Sequence, residues 1–194
     1  MGQESVQEKA PTIERLPDPV PSADFSALCA LLAECVRLGA SIGFVEPLSG
    51  EEAAAYWRKV QSEAASGGRL ILVAREAGGG PVVGSAQLAF ESRANGRHRA
   101  EVQKVMVLAS HRRKGVATAL MKAVEAAAAG RNARLLHLDT SEGRGGAREF
   151  YEALGYTYVG GIPDFAASPD GSLATNAIYY KRLPARTSDA AEVS

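Results

Sequence analysis

Cysteine, histidine, tryptophan and net charge are all scarce in this chain. Its 194 residues include two cysteines, three histidines and one tryptophan, and aromatic residues make up 6%. Cys29 and Cys35 fall in one helical stretch, where they point in different directions, so they suit neither a disulfide framework nor a metal knuckle and read as reduced core thiols. His98, His111 and His137 show no metal-ligand spacing, and the sequence assigns no metal. Lys and Arg number 22, as do Asp and Glu, which removes the field that a non-specific nucleic-acid or anionic-membrane binder needs. No apolar run approaches the roughly 18 residues of a membrane span, and the polar start Met1 to Ser5 has no signal-peptide core. Met1-Gly2 opens like a myristoylation motif, but Val6 stands where Ser or Thr is required. These absences point to a cytoplasmic protein that engages neither nucleic acid nor membrane.

What is present is an ordinary globular composition, 46% hydrophobic and 23% charged, enough to bury one core. Residues 1–11 and 184–194 are polar and read as flexible tails around one domain, 12–183. Thr12 to Leu16 suits a short edge strand. Ser22 or Asp24 is the expected cap of a helix reaching about Leu38. Ser49 with Glu52 matches the capping box of a second helix, running to about Ala65. Leu70 to Ala74 and Val82 to Phe90 read as a hairpin, and Asn95-Gly96 joins the second of these strands to a third, Arg99 to Leu108. Lys114 to Ala129 carries Val116, Leu120 and Val124 on one helical face and ends at Gly130. Leu135 to Leu138 is a buried strand, Gly146 to Leu154 a helix, and Tyr156 to Val159 and Asn176 to Tyr180 the closing strands. The order predicts an α/β single domain with a mixed, mostly antiparallel sheet flanked by helices on both faces.

The segment that carries chemistry runs from Val105 to Thr118: a buried strand, a short basic loop, then a helix. Cations in the first turn of a helix face the positive end of its dipole, unfavourable by about 0.3–1 kcal/mol each unless an anion is present. Arg112, Arg113 and Lys114 therefore suggest a bound anion such as a pyrophosphate, held by backbone N–H groups of residues 113–118, with Gly115 allowing close approach.

Arg112-x-x-Gly115-x-Ala117, after a strand and opening a helix, resembles the acyl-coenzyme A loop of the GNAT superfamily of N-acetyltransferases. Ala147-x-x-Phe150-Tyr151-x-x-x-Gly155-Tyr156 resembles that superfamily's second motif. At closer range, Arg99 to Lys104, Leu138-Asp139-Thr140, Gly161-Ile162-Pro163, Pro169-Asp170-Gly171 and Tyr179-Tyr180-Lys181 are similar to the tabtoxin-resistance branch. The chain departs from the pattern at Arg144, where many members carry Asn. The resemblance implies acetyl-coenzyme A as cosubstrate, contacted by Val105, Met106, Val107, Arg112, Arg113, Lys114, Gly115, Val116, Ala117 and Thr118.

It also implies acetyl transfer to the primary amine of a small molecule, an amino-acid-like toxin or antibiotic being one acceptor class. An amine of pKa near 10.4 is neutral in only about one molecule in a thousand at pH 7, so a base is needed. Glu101 and Asp139, carboxylates in otherwise apolar strands, are the candidates, each with a structural alternative: an ion pair to Arg99 or Lys104 for Glu101, a turn-forming role for Asp139. The backbone N–H of Val107 or a neighbour is placed to meet the developing negative charge, and Tyr151 to protonate the leaving thiolate. Phe44, Trp57 and Phe165 are the expected apolar walls of the acceptor site. A cysteine acyl-enzyme is disfavoured because both thiols are remote in sequence from the cofactor loop. The alternative function is a non-catalytic acyl-coenzyme A-binding or sensing module. A homodimer is compatible with the sequence.

Overall fold

The computed structural model describes residues 10–142, 147–168 and 171–184. In chain order the elements are β1 (Thr12–Arg15), α1 (Ser22–Arg37), α2 (Gly50–Ala65), β2 (Arg69–Arg75), β3 (Val82–Phe90), β4 (Arg99–Val107), α3 (Val116–Gly130), β5 (Leu135–Ser141), α4 (Ala147–Ala153), β6 (Thr157–Gly160), β7 (Ala166–Ala167), β8 (Leu173–Ala174) and β9 (Asn176–Arg182). Apolar residues in β2 alternate between two cores, as the two-residue period of a strand dictates. Leu70, Leu72 and Ala74 pack with Leu120, Met121 and Val124 of α3, whereas Ile71 and Val73 pack with Leu28, Leu31 and Leu32 of α1 and Trp57 of α2. Helices thus cover both faces of one seven-stranded sheet, ordered β1-β2-β3-β4-β5-β9-β6. Every neighbouring pair is antiparallel except β4 and β5, which run parallel.

Local chemistry sets the helix ends. The capping box of α2 is formed: the Ser49 hydroxyl accepts from the Glu52 N–H at 3.1 Å, and the Ser49 N–H donates to the Glu52 carboxylate at 2.9 Å. Neither Ser22 nor Asp24 caps α1, which follows Pro21 with no side-chain cap. Asp24 instead accepts a two-pronged ion pair from Arg75, at 2.9 and 2.7 Å, and Arg75 also binds Glu14 at 2.6 Å. A charge-assisted fork outweighs a single cap bond. Asn95-Gly96 lies in a 3₁₀ turn, Ala94–Gly96, within a longer connection rather than forming a two-residue hairpin turn. The small β7–β8 hairpin was not foreseen, because its strands are two residues each and rich in alanine. Gly146, the expected start of α4, lies outside the described residues.

α3 begins at Val116, not at Lys114, after Gly115 in the left-handed region at φ 77°. Its first turns are seated hard on the sheet. A Cβ placed on Gly84 of β3 would lie 2.9 Å from the Met106 carbonyl oxygen, 3.1 Å from Val116 and 3.2 Å from Leu120. Gly84→Ala should therefore cost about 1–3 kcal/mol, since a backbone carbonyl cannot yield as a side chain can. Urea unfolding that gives the same midpoint and slope as the parent chain would show that the contact is not tight.

Candidate functional site

The parallel pair β4 and β5 shares only three rungs, Arg99 with Leu135, Ala100 with Leu136 and Glu101 with His137. Beyond them β5 remains paired with β9 as far as Ser141, and β4 remains paired with β3 as far as Val107. The two strands part between their other partners and leave a gap.

Two residues beyond the last shared rung, after Gln103, the β3–β4 register slips between Ser85 and Gln87. Lys104 has φ 50°, a left-handed conformation rare for a residue with a side chain. This is a β-bulge, and it reverses the parity of the strand. Ala100 and Val102 belong to the α3 core, but Met106, which simple alternation would place beside them, belongs to the α1–α2 core. The Leu108 N–H donates to the Val83 carbonyl at 2.9 Å. Alternation from that bond directs the backbone groups of Val105 and Val107 away from β3, towards the gap.

The loop from β4 to α3 lies beside this gap. After a 3₁₀ turn, Ala109–His111, Arg113 at φ 63° and Gly115 at φ 77° both take left-handed conformations. Among the described residues other than its chain neighbours, no atom lies within 4 Å of the space a Gly115 side chain would fill. The first intrahelical bond of α3 runs from the Ala119 N–H to the Gly115 carbonyl at 2.9 Å, so the amides of Val116, Ala117 and Thr118 have no acceptor within the helix. Arg112, Arg113 and Lys114 precede the helix instead of occupying its first turn. They flank its positive end, and the loop retains the features of a pyrophosphate cradle: open space, free helical amides and adjacent cations. Val116 plays a different part, its side chain buried in the core beneath the loop.

The expected carboxylates share one face. Leu136 and Leu138 point into the α3 core, so His137 and Asp139 face the α1–α2 side, as Glu101 does. Glu101 and His137 line a groove of about 460 Å³. A larger cavity, about 840 Å³, is walled by Gly43, Phe44 and Leu48 of the α1–α2 connection, Thr140 and Ser141 of β5, and Ala166 of β7. Asp139 is exposed, and the next two residues, Thr140 and Ser141, line that cavity. Neither ion pair considered for Glu101 is formed: Arg99 binds Glu91 at 2.8 Å, and Lys104 makes no hydrogen bond or ion pair among the described residues.

Two of the three expected walls are elsewhere. Trp57 is fully buried, its indole N–H donating to the Leu28 carbonyl at 3.0 Å, and Phe165 is half exposed. Phe44 alone lines the cavity, with its ring packed edge-on against Tyr56 at 5.2 Å.

A polar layer between α2 and the sheet was not read from the sequence. Arg69 binds Glu63 at 2.7 Å and donates to both Gln87, at 2.7 Å, and Gln103; Tyr56 joins Gln87 at 3.1 Å. Lys104 completes this layer, its Nζ lying 5.9 Å from the Tyr56 ring centroid. Burial pushes Lys104 below the usual lysine pKa, and Arg69 acts in the same direction; Asp139 and Glu101 oppose them.

Cys35, remote in sequence, comes close to β4, its thiol 4.0 Å from the Val107 carbonyl. Burial raises its pKa, the opposite of what a nucleophilic thiol needs. Among the described residues no group of three or more His, Cys, Asp or Glu could hold a metal ion, and no helix is long and apolar enough to cross a membrane. Arg144 lies outside the described residues.

Tyr151 stands on α4, 8% exposed, with Tyr179 and Tyr156 packed around its ring at 5.4 and 5.9 Å. Burial, then Tyr179 and Asp139, push its pKa up to about 12. The phenol therefore stays protonated throughout the neutral range. Because the folded pKa lies above the ordinary 10.0, the stability tied to neutral Tyr151 is intact below pH 10 and is lost as pH rises towards 12. The melting temperature should fall over that interval and fall less steeply in Tyr151→Phe. Parallel curves for the two proteins would contradict the shift.

The described fold has close counterparts among solved structures. Ribosomal-protein-alanine N-acetyltransferase from Brucella melitensis superposes with a TM-score of 0.74 at 21% identity, covering 89% of this chain and 99% of that one. Phosphinothricin acetyltransferase from Sinorhizobium meliloti, solved with acetyl-CoA, gives 0.75 at 19% identity, with 93% and 92% covered. The yncA protein of Salmonella typhimurium, solved with its cofactor acetyl-CoA, gives 0.73 at 19%, with 92% and 97% covered. These identities carry the fold alone. Residues 32–156, more than half of the chain and spanning the parted strands and the basic loop, match the acetyltransferase (GNAT) family model. The chain belongs to the acetyltransferase (GNAT) family.

Proposed function

We propose that this protein transfers an acetyl group from acetyl-CoA to a primary amine of a small molecule. The observation that carries the reading is the gap between β4 and β5 beside a loop with free helical amides. Arg112 to Thr118 would hold the pyrophosphate, with the Val105 and Val107 backbone groups facing the gap where the pantetheine arm would run. When bound, acetyl-CoA supplies the acyl group as an activated thioester. The Val107 N–H stabilises negative charge on the carbonyl oxygen, and Tyr151, kept protonated by burial, gives its proton to the departing sulfur.

Glu101 and Asp139 share the face that the amine must approach. One removes its proton, directly or through water, a contribution typically of about 10² to 10⁴ in rate, and the other attracts the cationic form. The cavity of about 840 Å³ matches a small acceptor, within the roughly 300–1,000 Å³ typical of ligand pockets. An amino-acid-like toxin or antibiotic fits that size, which would make the activity a cytoplasmic detoxification. The motifs around Glu101 and Asp139 that resemble the tabtoxin-resistance branch support the same acceptor class.

Thiol release from acetyl-CoA in the presence of small amines tests the reading. With Glu101 as base, Glu101→Gln lowers kcat and erases the acidic limb of its pH profile, while Asp139→Asn mainly raises the acceptor KM. The reverse pattern exchanges the two roles. A kcat/KM for basic peptides about a hundredfold above that of every small amine would overturn the small-molecule assignment.

A further inference from the structure

The acceptor face holds an amine of the protein's own. Lys104 occupies the bulge of β4, one residue before Val105 and the gap. Its left-handed backbone turns the side chain onto the face shared by Glu101, His137 and Asp139. There Nζ lies under the α1–α2 connection, 3.4 Å from where a Gly43 side chain would begin, and 5.9 Å from the Tyr56 ring centroid. A half-buried ammonium normally has an acceptor, because leaving it without one costs desolvation energy that nothing returns. Lys104 has no hydrogen-bond or ion-pair partner among the described residues. Surface lysines pay no such penalty and stay protonated.

We infer that Lys104 is a site of self-acetylation, in which the protein serves as its own amine acceptor when no small amine is present. The inference rests on the proposed acetyl-CoA reading. In the step, the neutral Nζ lone pair attacks the thioester carbonyl carbon; the C–N bond forms, the C–S bond breaks, and the sulfur leaves with the bonding pair. The thiolate takes a proton from Tyr151 or solvent, and the proton lost from nitrogen passes to the carboxylate of Asp139 or Glu101. The products are a neutral acetyl-lysine and free coenzyme A. The lowered pKa of Lys104 favours the reactive neutral amine. Acetylation removes a cation from the floor of the acceptor face and leaves the two carboxylates without its countercharge. A bound small amine would compete for the same acetyl group.

The test is intact-mass spectrometry and peptide mapping of the purified full chain incubated with acetyl-CoA and no acceptor. One acetyl group should appear on Lys104, at a rate that saturates with acetyl-CoA and falls when a small amine is added. Lys104→Arg should remain unmodified at this position. Gly115→Glu, which fills the cradle with bulk and negative charge, should slow the modification by about tenfold or more. Equal labelling of Lys104 in the Gly115→Glu protein would mean non-enzymatic chemistry and overturn the inference. An unmodified Lys104 in a chain that binds acetyl-CoA calorimetrically and releases thiol with small amines would overturn it while leaving the proposed function standing. Absence of binding and of thiol release with any amine would defeat both.

Discussion

The site depends on two parallel strands that stop pairing too soon. β4 and β5 share three rungs and then separate while each stays bonded to its other neighbour. Inside a sheet covered by helices on both faces, a backbone group without a partner costs about 1–3 kcal/mol. The N–H groups of Val105 and Val107 point into the gap, and the Val107 carbonyl accepts from Arg112 Nε at 3.3 Å. The gap therefore suits an extended chain with amide and carbonyl groups of its own, which can pair with those backbone groups as a strand would. The loop from β4 to α3 flanks that gap, and Gly84 lets α3 settle against β3 beside it.

The bulge at Lys104 does two things at once. By inserting one residue it reverses which side chains of β4 face which core, and so sends Met106 to the α1–α2 side. It also brings a lysine onto the α1–α2 face that Glu101 and Asp139 share, where charges of both signs meet. Two carboxyl groups, Glu101 and Asp139, stand with Lys104, whose pKa burial lowers, while Arg69 is held by Glu63, Gln87 and Gln103. With the chain's overall charge at zero, any attraction for an amine must come from this local arrangement instead of a global field.

Much of this was legible in the sequence because it rests on local rules. Ser49 and Glu52 form the cap their spacing implies, Gly115 leaves the open space expected of it, and the runs Leu70 to Ala74 and Val82 to Phe90 pair as the expected hairpin. The start of α3 was misplaced because Arg112, Arg113 and Lys114 are good helix formers, while the left-handed turns at Arg113 and Gly115 override propensity. The bulge was invisible: Gln103-Lys104-Val105 carries no glycine or proline, and the extra residue shows only in the β3–β4 register, the left-handed Lys104 and the packing of Ala100, Val102 and Met106. Gln87, a polar residue in the apolar run of β3, was the available sign of the layer it forms with Arg69 and Tyr56. Trp57 shows why large aromatics mislead, since hydrophobic bulk alone does not distinguish a cavity wall from the core behind it.

The sharpest measurement is the backbone amide spectrum of ¹⁵N-labelled protein titrated with acetyl-CoA. Binding in the gap and cradle requires saturable shifts at Val105, Val107, Val116, Ala117 and Thr118, with the amides of β1 and β2 largely unmoved. Saturable binding that leaves Val105 and Val107 unshifted while perturbing residues elsewhere would contradict a ligand site between the parted strands.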